Sequence, residues 1–127
     1  MTEARFLLDT NSLVYLAERL SPSVIHRAEQ CRPGELVTSS IAFAEFARGV
    51  DWLRPHAETT AARFFHDIVV LPFDQQAARA YASIPFKRHR FDRLIAAHAL
   101  SLGLTLVTAN LRDFSDIPNL RVEDWTR

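Results

Sequence analysis

RFLLDTNSLVYLAE, residues 5–18, changes character in its middle. Arg5–Leu8 is a short apolar run of the length and composition of a buried strand. Asp9, Thr10 and Asn11 follow, and a helical pattern then covers Ser12–Leu20. A carboxylate therefore stands where the strand ends. It can be a helix N-cap, since Asp is favoured there. It can also be one corner of a metal site.

The rest of the chain repeats the alternation of short apolar runs with amphipathic ones. Ser21 and Pro22 open a second helix as N-cap and first residue. Arg32–Glu35 breaks it. Leu36–Ser40 reads as a second strand, Ile41–Leu53 as a helix that Gly49 weakens, and His56–Ile68 as another. Val69–Phe73 is a third strand, and Asp74 caps the helix after it. Pro85–Phe91 is a basic loop. Asp92–Gly103 is a helix with an acid at its start and glycine at its stop. Leu104–Thr108 is a fourth strand, and Leu120–Asp124 a weaker fifth. Alternating strands and helices specify an α/β layered fold with a mainly parallel sheet, buried on both faces.

The totals narrow the function. The chain has 127 residues, 48% hydrophobic, with no repeat, linker or low-complexity tract, which suits a single domain over residues 1–127. Fifteen basic and fifteen acidic residues cancel. No global field draws the protein to a polyanion, so any such binding needs a local patch or a metal ion. One cysteine, Cys31, excludes an internal disulfide and a cysteine-rich zinc site and fits a cytoplasmic setting. No signal peptide is read at the N-terminus, and no run approaches the roughly 18 apolar residues of a membrane span.

In parallel α/β sheets, sites form at the carboxyl ends of strands. Asp9 follows the first strand, and the helix carrying Glu45 follows the second. Thr108, Asn110 and Asp113 follow the fourth, and Asp92 begins the helix that feeds it. Each acid alone has a plain reading. Asp9 and Asp92 are helix-start acids, Glu45 a solvated acid or a partner for Arg48, and Asp113 a loop acid. Glu45 is the most unusual, because Ile41, Phe43, Ala44, Phe46 and Ala47 surround it. Gathered at one edge, the acids would repel, by roughly 3 kcal/mol per pair at about 5 Å and an effective dielectric of about 20. Protons or cations must then neutralise them. Oxygen-only donors favour Mg²⁺, or Mn²⁺, over zinc. Such ions suit phosphodiester hydrolysis, one acidifying a water and one stabilising the leaving oxygen.

These motifs resemble a known family. FLLDTN (6–11), TSSIAFAEFARG (38–49), LPFD (71–74), FDRLIAAHALSLGLTLVTAN (91–110), DF (113–114) and PNLRVEDW (118–125) are similar to PIN-domain ribonucleases, in particular VapC-type toxins of bacterial toxin–antitoxin pairs. The resemblance spans nearly the whole chain. It implies a three-layer α/β/α sandwich and a Mg²⁺-dependent endoribonuclease, homodimeric, inhibited by a VapB-type antitoxin in a heterotetramer or larger complex. DNA would be met only through the antitoxin. The family's catalytic acids fall on Asp9, Glu45 and Asp92. Many relatives carry Asp where this chain has Asn110, and Asp113 is the alternative fourth corner. Asn11 and Thr108 resemble polar residues that orient those acids.

Lys87, Arg88, Arg90 and Arg93 form the densest basic cluster and read either as a phosphate clamp or as a solvated loop. The five histidines show no metal-ligand spacing; His98 is placed on a helix face and His26, His56, His66 and His89 on the surface. Trp52, Leu53, Phe64 and Phe65 could form a groove for an antitoxin helix, or simply pack in the core. Three rival enzyme or binding classes fail on residues. A haloacid-dehalogenase-type phosphatase needs Asp where Asn11 stands. A receiver domain needs a late lysine, and Lys87 is the only lysine. A dinucleotide fold needs a Gly-rich turn, which Gly34, Gly49 and Gly103 do not supply. A catalytically weak PIN-like domain that binds protein or RNA stays open because of Asn110.

Overall fold

The computed structural model describes residues 3–88 and 90–127. Met1, Thr2 and the surface-assigned His89 lie outside the described residues. The elements run β1 (Phe6–Leu8), α1 (Thr10–Ala17), α2 (Pro22–Glu29), β2 (Leu36–Ser39), α3 (Ser40–Arg48), α4 (Ala57–Asp67), β3 (Val69–Leu71), α5 (Gln75–Ser83), α6 (Arg90–Leu102), β4 (Thr105–Val107), a 3₁₀ turn (Leu111–Phe114) and β5 (Val122–Glu123). The strands form one sheet in the order β3-β2-β1-β4-β5, and every pairing is parallel. This is the α/β fold read from the alternation.

Every residue of β1, β2 and β4 is buried, and only the hydroxyl residues Thr38, Ser39 and Thr105 interrupt their apolar runs. The edge strand β3 exposes Val69. Strands are added toward one edge up to β3, and the connection to β4 then crosses back past β1. Right-handed crossovers then put α1–α4 on one face and α5–α6 on the other. Helix α6 meets the core through Ile95, Ala96, Ala97 and Ala99, all fully buried. Its small side chains bring the helix axis close to the sheet. Gly103 ends it at φ +67°, a backbone shape that favours glycine.

Several ends differ from the sequence reading by a few residues, α1 running Thr10–Ala17 and β3 ending at Leu71, and two of the differences bear on the site. Helix α3 stops at Arg48 and not at Leu53, with Gly49 as its C-cap. The Trp52 indole N–H then donates to the Ala47 carbonyl at 3.0 Å, and Asp51 caps a turn at Leu53. Helix α6 begins at Arg90, which moves Asp92 from the cap into the first turn. The C-terminal segment is clasped to the body. Trp125 is buried with its ring edge-on to Phe6, and the Ser23 hydroxyl donates to the Trp125 carbonyl at 2.6 Å. Among the described residues, no helix is long and apolar enough to cross a membrane.

Candidate functional site

The switch point of the sheet lies between β1 and β4, where the strand order turns back on itself. Leu8 pairs with Val107, so Asp9 and Thr108 are the next residues out at that crevice. The Asp9 amide donates to the Val107 carbonyl at 3.1 Å, and the Ser12 hydroxyl reaches the same carbonyl at 3.1 Å. Asp9 is indeed the N-cap of α1: its Oδ1 accepts from the Ser12 amide at 2.8 Å. The cap does not exhaust it. Asp9 is only 7% exposed, and burial pushes its carboxyl above the usual carboxylate range. Hydrogen bonds from Ser12 and the Thr108 side chain pull the other way. Among the described residues, the groups that act on this buried acid are all neutral.

Glu45 stands beside it. The Thr10 hydroxyl donates to Glu45 Oε1 at 2.6 Å, so the residue next to Asp9 holds the second acid. Among the described residues, Glu45 makes no ion pair with Arg48. It is half-buried on the wall of a 570 Å³ groove, with Val14, Glu18, Phe46 and Arg54. Asp92 is half-buried in the first turn of α6, where the helix dipole favours a carboxylate. Helices α3 and α6 are joined near this edge. Ser39, the N-cap of α3, hydrogen-bonds His98 Nδ1 on α6 at 2.8 Å. His98 is buried, and burial holds its imidazole below the ordinary value, against the pull of Asp74.

The fourth corner is looser. The Asn110 amide donates to Thr108 Oγ1 at 3.1 Å, but the Asn110 side chain is exposed. Asp113 is exposed in the 3₁₀ turn. Among the described residues, no three carboxylate, imidazole or thiol groups stand close enough to hold an ion by themselves. The Thr108 side chain hydrogen-bonds Asp9, whereas Asn11 is exposed. The sequence reading passed over Thr10, whose hydroxyl holds Glu45, and Ser12, whose amide holds Asp9. Their signal was position: each lies within three residues of a strand-end Asp.

The basic cluster divides. Arg88 and Arg90 are exposed, and the Arg90 guanidinium lies 5.7 Å from the Phe86 ring centre. Lys87 is 3.7 Å from Asp116. Arg93 is not a nucleic-acid contact. Its side chain is 2% exposed, and it donates to both Asp116 oxygens at 2.9 Å, to the Asp113 carbonyl at 3.0 Å and to the Pro85 carbonyl at 2.5 Å. It is a buried clasp of three segments. Of the four residues proposed for an apolar groove, Phe64 lines the one beside Glu45. Phe65 packs edge-to-face on Phe43, Phe46 and Phe64, while Trp52 and Leu53 are exposed. A second cavity of 630 Å³ lies under Cys31 and Leu36 at the other edge of the sheet, and neither Asp9, Glu45 nor Asp92 lines it.

Residues 6–120 match the PIN domain family. The chain is 33% identical, over 95% of its length and 98% of the relative, to the tRNA(fMet)-specific endonuclease VapC of Salmonella typhimurium. It is 30% identical, with the same coverage, to ribonuclease VapC2 of Haemophilus influenzae. Its fold is similar to the VapBC2 complex of Rickettsia felis bound to a promoter DNA fragment, with a TM-score of 0.82, 26% identity and 98% and 99% of the two chains covered. For DNA-bound VapBC of Salmonella typhimurium the values are 0.80, 32%, 96% and 98%.

Proposed function

The chain belongs to the PIN domain family, and we propose that it is a metal-dependent endoribonuclease, the toxin of a toxin–antitoxin pair with a VapB-type partner. One observation carries the reading. The Asp9 carboxylate is buried at the switch point among neutral hydrogen-bond donors, with Glu45 held beside it through Thr10. A buried acid without a counter-charge is costly, and a cation is what removes the cost.

The residues suit a hard divalent cation. Asp9, Glu45 and Asp92 would hold it, with Asn110 or Asp113 completing the oxygen set. Mg²⁺ keeps several waters and uses few protein carboxylates, so a compact cage of protein ligands is not required. When bound, the ion supplies an acidified water and charge neutralisation for cleavage of a phosphodiester bond. The chain's own groups prepare that site. Ser12 and Thr108 fix the direction of Asp9, Thr10 fixes Glu45, and the start of α6 presents Asp92. Lys87, Arg88 and Arg90 supply local positive charge for RNA phosphates on a chain of zero net charge.

The reading is supported by relatives named as ribonucleases and by similar chains in VapBC complexes. The groove beside Glu45 suits an antitoxin helix, which would place the inhibitor against the catalytic edge. A homodimer is the assembly we propose for the free toxin. A second reading, a weak or inactive domain that only binds, is favoured by the neutral Asn110 and by the open spacing of the acids. One assay separates the two. Purified protein without antitoxin is incubated with initiator tRNA, the RNA named for the Salmonella relative, and with total RNA, with Mg²⁺ or chelator. Discrete fragments that require both Mg²⁺ and Asp9 establish the nuclease. Intact RNA with a folded, Mg²⁺-binding protein establishes the binding domain.

A further inference from the structure

Two phenylalanines do no work in the core. Phe86 is 69% exposed and Phe91 58%. The other rings are used: Phe6 packs on Trp125, Phe73 on His98, Phe114 is buried, and Phe43, Phe46, Phe64 and Phe65 pack on one another. The two exposed rings bracket Lys87, Arg88 and Arg90, and Asp92 follows Phe91 directly. Exposed aromatic planes interleaved with cations match a partner that alternates flat apolar faces with anions. Unpaired nucleic acid is that partner, because a duplex hides its base faces while a single strand offers both bases and phosphates.

Described residues of the loop are tied to their surroundings. Buried Arg93 donates to the Pro85 carbonyl, immediately before Phe86, and Arg93 itself follows Asp92 on α6. Lys87 reaches the same Asp116 that Arg93 grips. The Arg90 amide donates to the Arg88 carbonyl at 2.9 Å, which tightens the turn into α6. The Arg90 guanidinium lies 5.7 Å from the Phe86 ring centre, within cation–π reach. The start of the loop is thereby tied to the helix that carries Asp92, through one buried side chain.

We propose that Phe86 and Phe91 stack unpaired bases of the RNA, whose phosphates run along Lys87, Arg88 and Arg90 toward Asp92. They are positioning residues for the bound strand. The link to cleavage rests on the ribonuclease reading above; the stacking itself does not.

The test is binding in chelator, where no cleavage is expected. The probes are a short single-stranded RNA containing a fluorescent adenine analogue, the same strand annealed to its complement, and an abasic strand with the same number of phosphates. Wild-type protein should bind the base-bearing strand about ten-fold or more tighter than the abasic one and quench its fluorescence. The double variant Phe86→Leu, Phe91→Leu should lose that advantage and the quench but keep the salt dependence. Phe86→Trp should retain both. In turnover, the Leu variants should raise KM and leave kcat unchanged. Thermal melting checks that the variants fold, which exposed rings permit. Equal binding of base-bearing and abasic strands by wild type would overturn the proposal. So would Leu variants that bind RNA as wild type does, with or without a changed oligomeric mass; a changed mass would assign the rings to a protein contact. Metal-dependent cleavage that persists beside either result leaves the nuclease reading intact. Base-selective binding without cleavage would do the reverse.

Discussion

Asp9 and Asp116 are two hydrogen-bonded carboxylates treated in opposite ways. Asp116 is gripped by Arg93 through two bonds and neighboured by Lys87, and these cations hold its carboxyl below the usual range. Asp9 is more deeply buried, receives only neutral donors, and its carboxyl is pushed up. The first is how a fold uses an acid to tie segments together. The second is a charge the fold leaves uncompensated, at the one crevice where its topology opens. Stability explains Asp116. It does not explain Asp9, which becomes intelligible as a cation ligand.

Asp9→Asn is the sharpest way to break this contrast. It should abolish RNA cleavage. The amide oxygen still caps α1, so the fold should persist, and in chelator near neutral pH the variant should melt higher than wild type. The sign follows from the raised carboxyl: the native state holds its proton more tightly than the unfolded chain. Wild-type stability is therefore lost as pH rises from about the unfolded value of 3.8 through the higher native value, and removing the charge restores it. Each kcal/mol regained should appear as roughly 3–5 °C in Tm.

Arg93→Met tests the other side. Its guanidinium holds Pro85, Asp113 and Asp116 together, so its loss should cost about 3 kcal/mol in denaturant unfolding. A variant of unchanged stability but weaker RNA binding would return Arg93 to the surface cluster. Thr10→Val should lower kcat/KM by about ten-fold, as loss of an orienting bond to a ligand does, with little change in Tm. The smallest effect concerns His98. Its lowered imidazole makes the native state bind fewer protons, so stability should fall as pH drops below about 6.5. His98→Gln should flatten that slope in melting curves taken between pH 7 and about 5.

How much of this was readable in advance follows from how local each signal is. The buried strands showed as short, mostly apolar runs. The alternation with helices made the sheet parallel, and that placed Asp9 and Thr108 at one edge before any coordinates. The end of α3 was missed because propensity at Gly49 is weak, and Trp52 and Asp51 settle it by turning the chain. Arg93 was misread because its partner lies far along the chain. In sequence it is one more cation beside Lys87, Arg88 and Arg90, and only folding brings Asp116 and the Pro85 carbonyl to it. Thr10 and Ser12 were overlooked for a similar reason. Small hydroxyl residues are common, and their value depends on which groups the fold sets against them.

The most direct single measurement is the melting temperature of wild type and Asp9→Asn, each with chelator and with millimolar Mg²⁺. Mg²⁺ should raise the Tm of wild type and leave that of Asp9→Asn unchanged, with the variant above wild type in chelator. A wild-type Tm that is the same in both solutions, and no lower than that of Asp9→Asn, would contradict the assignment of Asp9 as an uncompensated acid built for a cation.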